Sequence, residues 1–398
     1  MPARIGDLAV VSGRPAFAEP LHVGRPNLGN RAALLRRIER ALDKRWLTND
    51  GDLLREFELR VADVTGADEC VVVVNATVGL QLLARALGLS GDVVLPAWTF
   101  VGTAHALSWI GLNPVFADID AASHNLDPDA VERVITPSTS AILGVHLWGR
   151  ARGADRLADV AERHRVPLVF DAAHALGCTY GGLQLGRLGA ASVFSFHATK
   201  VANAAEGGAI TTSDRELAKR LRSMRSFGFC AYDTVSELGT NAKMNELSAA
   251  MGITSLDALE DFTAANRRNY SAYAAGLATV PGLRLLEYDD RDSHNYHYVV
   301  VEVDASASAL RRDELVAVLH RENVLARRYF HPGCHRMEPY RGTHVSLPMT
   351  EEVSSRVVVL PTGSAVSKEA VEVVCSIIAI AAQNPDEVRR GLGAPGRG

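Results

Sequence analysis

The 398-residue sequence predicts an α/β fold in which a large domain with a mainly parallel sheet is followed by a smaller α/β domain. The first observation is a series of short apolar runs between residues 69 and 196, most of them separated by helical segments, which is the pattern of βαβ units. The second observation is that these runs are apolar on both faces, as the strands of a parallel sheet covered by helices are. Ligands bind such sheets beyond the carboxyl ends of the strands, so functional residues are expected there.

Two amphipathic helices are predicted before the sheet, because apolar residues recur three and four positions apart in residues 31–46 and 52–66. After residues 207–214 the helical pattern returns, and a long helical stretch begins near Met244 and extends past Leu256. The apolar runs between these helical regions predict strands at residues 69–74, 92–96, 113–119, 141–147, 167–172 and 191–196.

The C-terminal part of the chain predicts a second, smaller α/β domain. Its strands are expected at residues 296–304 and 356–363, and its helices at residues 313–323 and 368–383. We therefore divide the chain into an N-terminal segment with the large domain, residues 1–255, and a linking helix with the smaller domain, residues 256–398. The Gly-rich end, residues 389–398, is predicted to be frayed.

The composition is that of an ordinary globular protein, with 47% hydrophobic and 22% charged residues. A net charge of -4 provides no long-range attraction for nucleic acids or anionic membranes, so neither is expected as a partner. The five cysteines are odd in number and contain no C-x-x-C pair, which indicates neither a disulfide framework nor a metal site. We expect a cytoplasmic protein, since no signal peptide or membrane span is recognisable.

Three features that follow apolar runs are candidates for chemistry. Asp171 closes the run at 167–172, where an acid either caps the next helix or binds a cation. Lys200, one of only five lysines, lies just beyond the run at 191–196 and either extends to solvent or is held neutral as an imine. Residues 75–87 change from strand to helix near Thr77, where backbone N–H groups could bind an anion.

One cofactor would account for all three features together. Pyridoxal phosphate (PLP) needs a lysine, a carboxylate beside its pyridine nitrogen and donors for its phosphate. Other cofactors fit less well, because no G-x-G-x-x-G fingerprint follows a strand and no G-x-x-x-x-G-K-[ST] loop is present.

The sequence also resembles a known family, the nucleotide-sugar aminotransferases of the DegT/DnrJ/EryC1/StrS group, over nearly its whole length. The most specific motifs are D-A-A-H-A at 171–175, F-S-F-H-A-T-K at 194–200 and E-G-G-A-I at 206–210. The resemblance implies an aspartate aminotransferase-like fold (PLP fold type I), with a mainly parallel seven-stranded sheet in the large domain. It also implies a PLP-dependent transaminase.

The matching positions imply catalytic and cofactor-binding roles. Lys200 would form the imine with PLP and then move protons as acid and base. Asp171 would pair with the pyridinium nitrogen. His174 would contact the ring or its 3-oxygen, unless it is a core or capping histidine. Phe100 would stack on the pyridine face, although Trp98 could take that role or either ring could belong to the core.

The phosphate would be held by Ser195 and by the turn formed by Asn75, Ala76 and Thr77. This turn reads N-A-T where the family more often has S-G-T, so the glycine is lost and the threonine is kept. In this family the segment around Asn241 reaches the phosphate of the neighbouring subunit, which implies a homodimer with shared active sites. Without the resemblance, Asn241 would be interpreted as a turn residue.

The stretches around residues 45–51, 146–150 and 329–335 are most similar to 4-aminotransferases that act on dTDP-4-keto-6-deoxyglucose in antibiotic deoxysugar pathways. The implied reaction moves an amino group from L-glutamate to C4 of that sugar. Lys243, Tyr329 and His331 are candidate sugar or diphosphate contacts, with structural roles as the alternative. Other functions left open are a 3-aminotransferase acting on a nucleotide-linked 3-keto sugar, a non-catalytic PLP-binding regulator and a plain Rossmann-type nucleotide binder without need of Lys200. Relatives that carry histidine in place of this lysine act as dehydratases, so Lys200 favours transamination.

Overall fold

A computed structural model describes residues 2–343 and 345–393. It confirms the predicted α/β class and a mainly parallel seven-stranded sheet, with spatial order β1-β7-β6-β5-β4-β2-β3. Of the six neighbouring pairs of strands, two are antiparallel, since β7 runs opposite to both β1 and β6, and the other four are parallel. The strands are β1 Glu69–Val73, β2 Asp92–Pro96, β3 Asn113–Ala117, β4 Thr139–Val145, β5 Leu168–Asp171, β6 Ala191–Ser195 and β7 Gly208–Thr212.

Helices cover both faces of this sheet, because successive side chains of a strand point to opposite faces. Val72 therefore packs in one apolar cluster, and Val71 and Val73 pack in the other. Several of the helices are capped at their N-termini by a side chain that accepts a hydrogen bond from a backbone N–H of the first turn. Asn30 accepts such a bond from Ala33 N–H. The helices of this part are α1 Arg31–Lys44, α2 Asp52–Thr65, α3 Ala76–Ala86, α4 Val101–Ser108, α5 Pro128–Val134, α6 Ala154–His164, α7 Arg215–Arg225 and α8 Glu246–Asp257.

A smaller unit follows, built on a three-stranded antiparallel sheet with the order β8-β9-β10. The chain passes into it through Ala258, where α8 ends and α9 begins. The strands are β8 Leu283–Leu285, β9 Val299–Val303 and β10 Val357–Leu360, and the helices are α9 Leu259–Leu277, α10 Arg312–Arg321, α11 Pro348–Arg356, α12 Lys368–Gln383 and α13 Pro385–Leu392.

The N-terminal segment packs against this smaller unit. Leu8 and Val10 belong to its apolar cluster, and Leu21–His22 pairs in parallel with Val324–Leu325. The buried carboxylate of Glu322 accepts from backbone N–H groups of the same segment. The division at residue 255, which groups residues 1–22 with the large domain, stays a prediction.

The C-terminal end differs in part from the prediction of a frayed stretch at 389–398. The helix α13 continues to Leu392, because Val388 is buried and Arg389 bonds the carboxylate of Glu314. Residues 394–398 lie outside the described residues. Across the described residues, no helix is both long enough and apolar enough to span a membrane.

Candidate active site

Three strand ends bring the candidate residues together at one edge of the seven-stranded sheet. Asp171 is the last residue of β5 and Ser195 the last of its neighbour β6. The antiparallel strand β7 starts at the same edge, where Gly208 pairs with both Ser195 and Val73. The site therefore lies at the carboxyl edge of the parallel strands, where ligands of such sheets bind.

The N-terminus of α3 lies against this edge because β7 begins with glycine. A Cβ at Gly208 would lie 2.6 Å from the nitrogen of Ala76, so a larger residue would displace the first turn of α3. The side chain of Asn75 caps this helix by accepting from Val78 N–H at 2.9 Å. The turn can therefore contact a ligand through its backbone. The unpaired N–H groups of the first turn, with the nearby hydroxyl of Ser195, are suited to a phosphate.

Asp171 is a buried carboxylate, 8% exposed, and both of its oxygens are hydrogen-bonded. Oδ2 accepts from the Thr103 hydroxyl at 2.8 Å and Oδ1 accepts from Ala173 N–H at 3.1 Å. Burial raises the pKa of Asp171, and these two bonds oppose that rise. Each carboxylate oxygen has two lone pairs, so both can accept a further bond from a cationic partner.

Lys200 lies in the loop after β6, close enough to Asp171 for the two charges to interact. Burial lowers the pKa of Lys200 to about 8, and the Asp171 carboxylate opposes this change. Its Nζ donates to the hydroxyl of Tyr298 at 3.4 Å. A lysine with this pKa exists in both the ammonium and the amine form near neutral pH, as an acid–base catalyst requires.

His174 is neutral because its pKa lies well below the usual value, and burial is the main cause of this lowering. Its Nδ1 accepts from the backbone N–H of Trp148 at 3.3 Å, so the ring hydrogen is on Nε2. Its ring packs against Tyr298 at 4.2 Å between centroids and stacks with Trp148 at 5.8 Å. His174 can therefore donate one hydrogen bond from a fixed ring.

Of the two aromatic candidates for stacking, Phe100 is accessible and Trp98 is not. Phe100 precedes α4 and is 60% exposed, whereas Trp98 is 0% exposed within the core. Phe100 also lies near Thr77, since an added Cβ on Gly102 would contact both side chains. A planar ligand between the strand ends and α4 would thus meet Phe100.

Sequence reasoning missed several residues of the site. Thr103 lies one helical turn after Phe100, a spacing that could have placed it on the same face of α4. Trp148 and Phe330 stack at 5.9 Å with rings 4° from parallel, and with Tyr298 they surround His174. These residues come from distant parts of the chain, and no sequence spacing could have indicated that they meet.

The remaining candidates make no hydrogen bond to Lys200 or Asp171 among the described contacts. Asn241 is exposed and accepts from Lys243 Nζ at 2.8 Å, and Lys243 also lies 4.5 Å from the Phe227 ring. Lys243 lines a cavity of about 670 Å³ on this side of the chain. Tyr329 stacks on Phe330 at 4.8 Å and so borders the aromatic group, whereas the next residue, His331, is exposed.

The fold and the site define a class of protein. The model of the DegT/DnrJ/EryC1/StrS aminotransferase family matches residues 30–379, and the chain belongs to this family. It is a transaminase, and Lys200 lies in its candidate active site.

Particular relatives are similar over most of their length. The dTDP-4-amino-4,6-dideoxy-D-glucose transaminase of Shigella dysenteriae is 32% identical over 362 residues, which are 90% of this chain and 98% of the relative. The protein of the same name from Escherichia coli is 31% identical over 355 residues, with 88% and 95% covered. The crystal structure of DesI in the presence of its TDP-sugar product is 50% identical with a TM-score of 0.93, covering 97% of this chain and 99% of DesI.

Proposed function

We propose that this chain uses PLP to transfer an amino group from L-glutamate to C4 of dTDP-4-keto-6-deoxyglucose, giving dTDP-4-amino-4,6-dideoxyglucose. One observation carries the proposal: Lys200 and Asp171 lie close enough for their charges to interact, in a chain that is similar, over 90% of its length, to a transaminase named for this amino sugar. The 50% identity with DesI, described with a TDP-sugar product, supports the same class of substrate.

The residues of the site fit PLP. The first turn of α3 and the hydroxyls of Thr77 and Ser195 would hold its phosphate, and the approach of this turn to Gly208 supports the fit. Asp171 keeps free lone pairs for a protonated ring nitrogen after accepting from Thr103. The bound cofactor supplies the electron sink that makes the carbon beside the amino group acidic.

Lys200 is the residue that would hold the cofactor covalently and move protons. Its amine form can accept a proton from carbon, and its ammonium form can return one, because its pKa of about 8 is close to neutral pH. Both halves of a ping-pong reaction need these steps, first with L-glutamate and then with the keto sugar.

The neighbouring side chains orient and shield the reacting groups. His174 donates from Nε2, since Trp148 N–H occupies Nδ1, and its fixed ring suits a contact with the cofactor ring or its 3-oxygen. Phe100 would cover one ring face. The stacked rings of Trp148 and Phe330 would form an apolar wall beside His174.

The proposed functional unit is a homodimer in which Asn241 reaches the phosphate site of the partner. Asn241 is exposed and lies on a surface rich in exposed apolar side chains, among them Leu238, 86% exposed, and Tyr232. Such a surface is typical of a protein interface. Lys243, which bonds Asn241, would then contribute a cation near the sugar diphosphate, and Tyr329 and His331 would contact the sugar from the loop of the smaller unit.

We also infer that the enzyme acts in the cytoplasm, in a pathway to deoxyaminosugars of antibiotics. Five cysteines that form no disulfide suit a reducing compartment.

The test is to identify the product by NMR after incubating the protein and PLP with L-glutamate and dTDP-4-keto-6-deoxyglucose. We expect an equatorial amine at C4, and none in a matched sample of Lys200→Ala protein. An amine at C3 of a 3-keto sugar, with no reaction of the 4-keto sugar, would replace the proposal by the 3-aminotransferase. An active Lys200→Ala protein would overturn the lysine mechanism.

A further inference from the structure

Two consecutive residues of the lysine loop contact two consecutive residues of the smaller unit. The backbone oxygen of Thr199 accepts from His297 Nε2 at 2.7 Å. The next residue, Lys200, donates from Nζ to the hydroxyl of Tyr298 at 3.4 Å. The pair of contacts fixes the register between the loop and the chain that leads into β9.

Tyr298 is held in place from several sides. Its backbone oxygen accepts from the Tyr288 hydroxyl at 2.9 Å, and its ring packs against His174 at 4.2 Å and Trp148 at 5.3 Å. The side chain is buried, with 6% exposed. Its hydroxyl cannot turn away from Nζ without displacing these rings.

The Tyr298 hydroxyl can bond Lys200 in both protonation states of the lysine. Burial raises the pKa of Tyr298 well above its usual value, so the phenol keeps its hydrogen through the pH range in which Lys200 titrates. A phenol can accept a bond from an ammonium group and donate one to an amine.

We propose that Tyr298 is a further catalytic residue of the transaminase, whose hydroxyl holds Nζ of Lys200 in position before and after each proton transfer. It accepts a hydrogen bond from the ammonium and donates one to the amine, and it neither gains nor loses a proton itself. The proposal rests on the proposed function only in taking Lys200 as the acid–base group.

The bond to the ammonium is the stronger of the two because it is charge-assisted. Tyr298 therefore favours the protonated lysine, as Asp171 also does, whereas burial opposes protonation. The rings of His174 and His297 also lie near Lys200, and burial lowers the pKa of both, so they stay neutral as Lys200 titrates. Tyr329 faces Tyr298 from the loop of the smaller unit. Loss of the Tyr298 hydroxyl should lower the pKa of Lys200.

The first experiment measures the pKa of Lys200 in the full-length chain without cofactor, by the rate of acetylation at each pH and mass spectrometry of the peptide that contains Lys200. Tyr298→Phe keeps the packed ring, and we expect the pKa to fall by about 0.5 to 1 unit. Tyr273→Phe is the matched control, since it removes a buried hydroxyl that donates to Pro361 O and should leave the pKa of Lys200 unchanged.

In the cofactor-loaded enzyme, Tyr298→Phe should reduce kcat about tenfold and change KM less than twofold, with whichever keto sugar the enzyme aminates. A pKa of Lys200 that stays the same or rises in folded Tyr298→Phe protein would overturn the proposal. The acetylation result does not depend on the sugar, so it separates this proposal from the choice of substrate.

If Tyr298→Phe does not fold, the contact between Tyr298 and Lys200 can be tested in the parent protein by NMR. The carbon-13 resonance of the Tyr298 phenol carbon should shift as Lys200 titrates near pH 8 and should stay constant in Lys200→Met protein. A resonance that is constant in both proteins would equally reject the contact.

Discussion

The hydroxyl of Thr103 donates a hydrogen bond of 2.8 Å to Oδ2 of Asp171 and thereby joins α4 to the end of β5. Thr103 in turn lies 2.9 Å from the hydroxyl of Thr99. The bond favours the ionised form of a carboxyl group whose pKa burial raises. Only the ionised form can pair with a protonated pyridine nitrogen.

Thr103→Val should therefore weaken PLP binding by roughly 10- to 150-fold, because a charge-assisted bond contributes about 1.5–3 kcal/mol and each factor of ten is about 1.4 kcal/mol. The substitution keeps the volume of the side chain and removes its donor. The measurement is a titration of the cofactor-free protein with PLP, followed by absorbance. Thr99→Val is the control, with a smaller effect, since Thr99 does not touch the carboxylate. Equal affinity in Thr103→Val and the parent protein would contradict the role of this bond.

Phe100→Ala should lower PLP affinity about tenfold with little change in the free energy of unfolding, since the ring is exposed and outside the core. Trp109→Ala is a matched control, because Trp109 follows the last residue of the same helix and is 85% exposed. PLP titration and thermal unfolding report the two effects. A loss of stability in Phe100→Ala, with affinity unchanged, would assign Phe100 to the fold rather than to the cofactor.

The pKa of Lys200 predicts how stability depends on pH. The folded chain holds this pKa at about 8, whereas an unfolded lysine has a pKa of 10.5. Between these values the unfolded state binds the proton and the folded state does not, so stability rises with pH. The cofactor-free protein should gain up to about 3 kcal/mol relative to Lys200→Met between pH 8 and pH 10.5, as urea titrations would show. If the two proteins differed by the same free energy of unfolding at every pH, the folded state would not shift the pKa of Lys200.

Shared active sites predict complementation between two inactive proteins. Lys200→Ala lacks the acid–base group, and Asn241→Asp places a negative charge where the phosphate of the partner would lie. Each protein alone should have less than about 1% of the activity. An equal mixture of the two proteins should recover up to about a quarter of the parent activity. Half of the dimers are then mixed, and each mixed dimer has one intact site out of two. Subunit exchange must be proven separately, and exchange without recovered activity would place Asn241 in the site of its own chain.

The sequence was sufficient to predict the sheet and the residues at its carboxyl edge. Apolar runs identify strands, and topology brings the ends of parallel strands together, so Asp171, Lys200 and the turn before Thr77 could be grouped before any coordinates. The opposite wall of the site could not be found in this way. Tyr298 and Phe330 reach it through packing between the two units, and nothing in the local sequence reports contacts across such separations.

The pairing of Leu21–His22 with Val324–Leu325 sets an order for events during synthesis. Leu21 and His22 have no partner until about 300 further residues have been made, which takes roughly 15–60 s at the usual rates of translation. The β-strands of the large sheet emerge within that interval and can assemble first. The segment with Leu21 and His22 then joins the smaller unit last, so a nascent chain that stalls before residue 324 would leave Leu8 and Val10 uncovered for chaperones to bind.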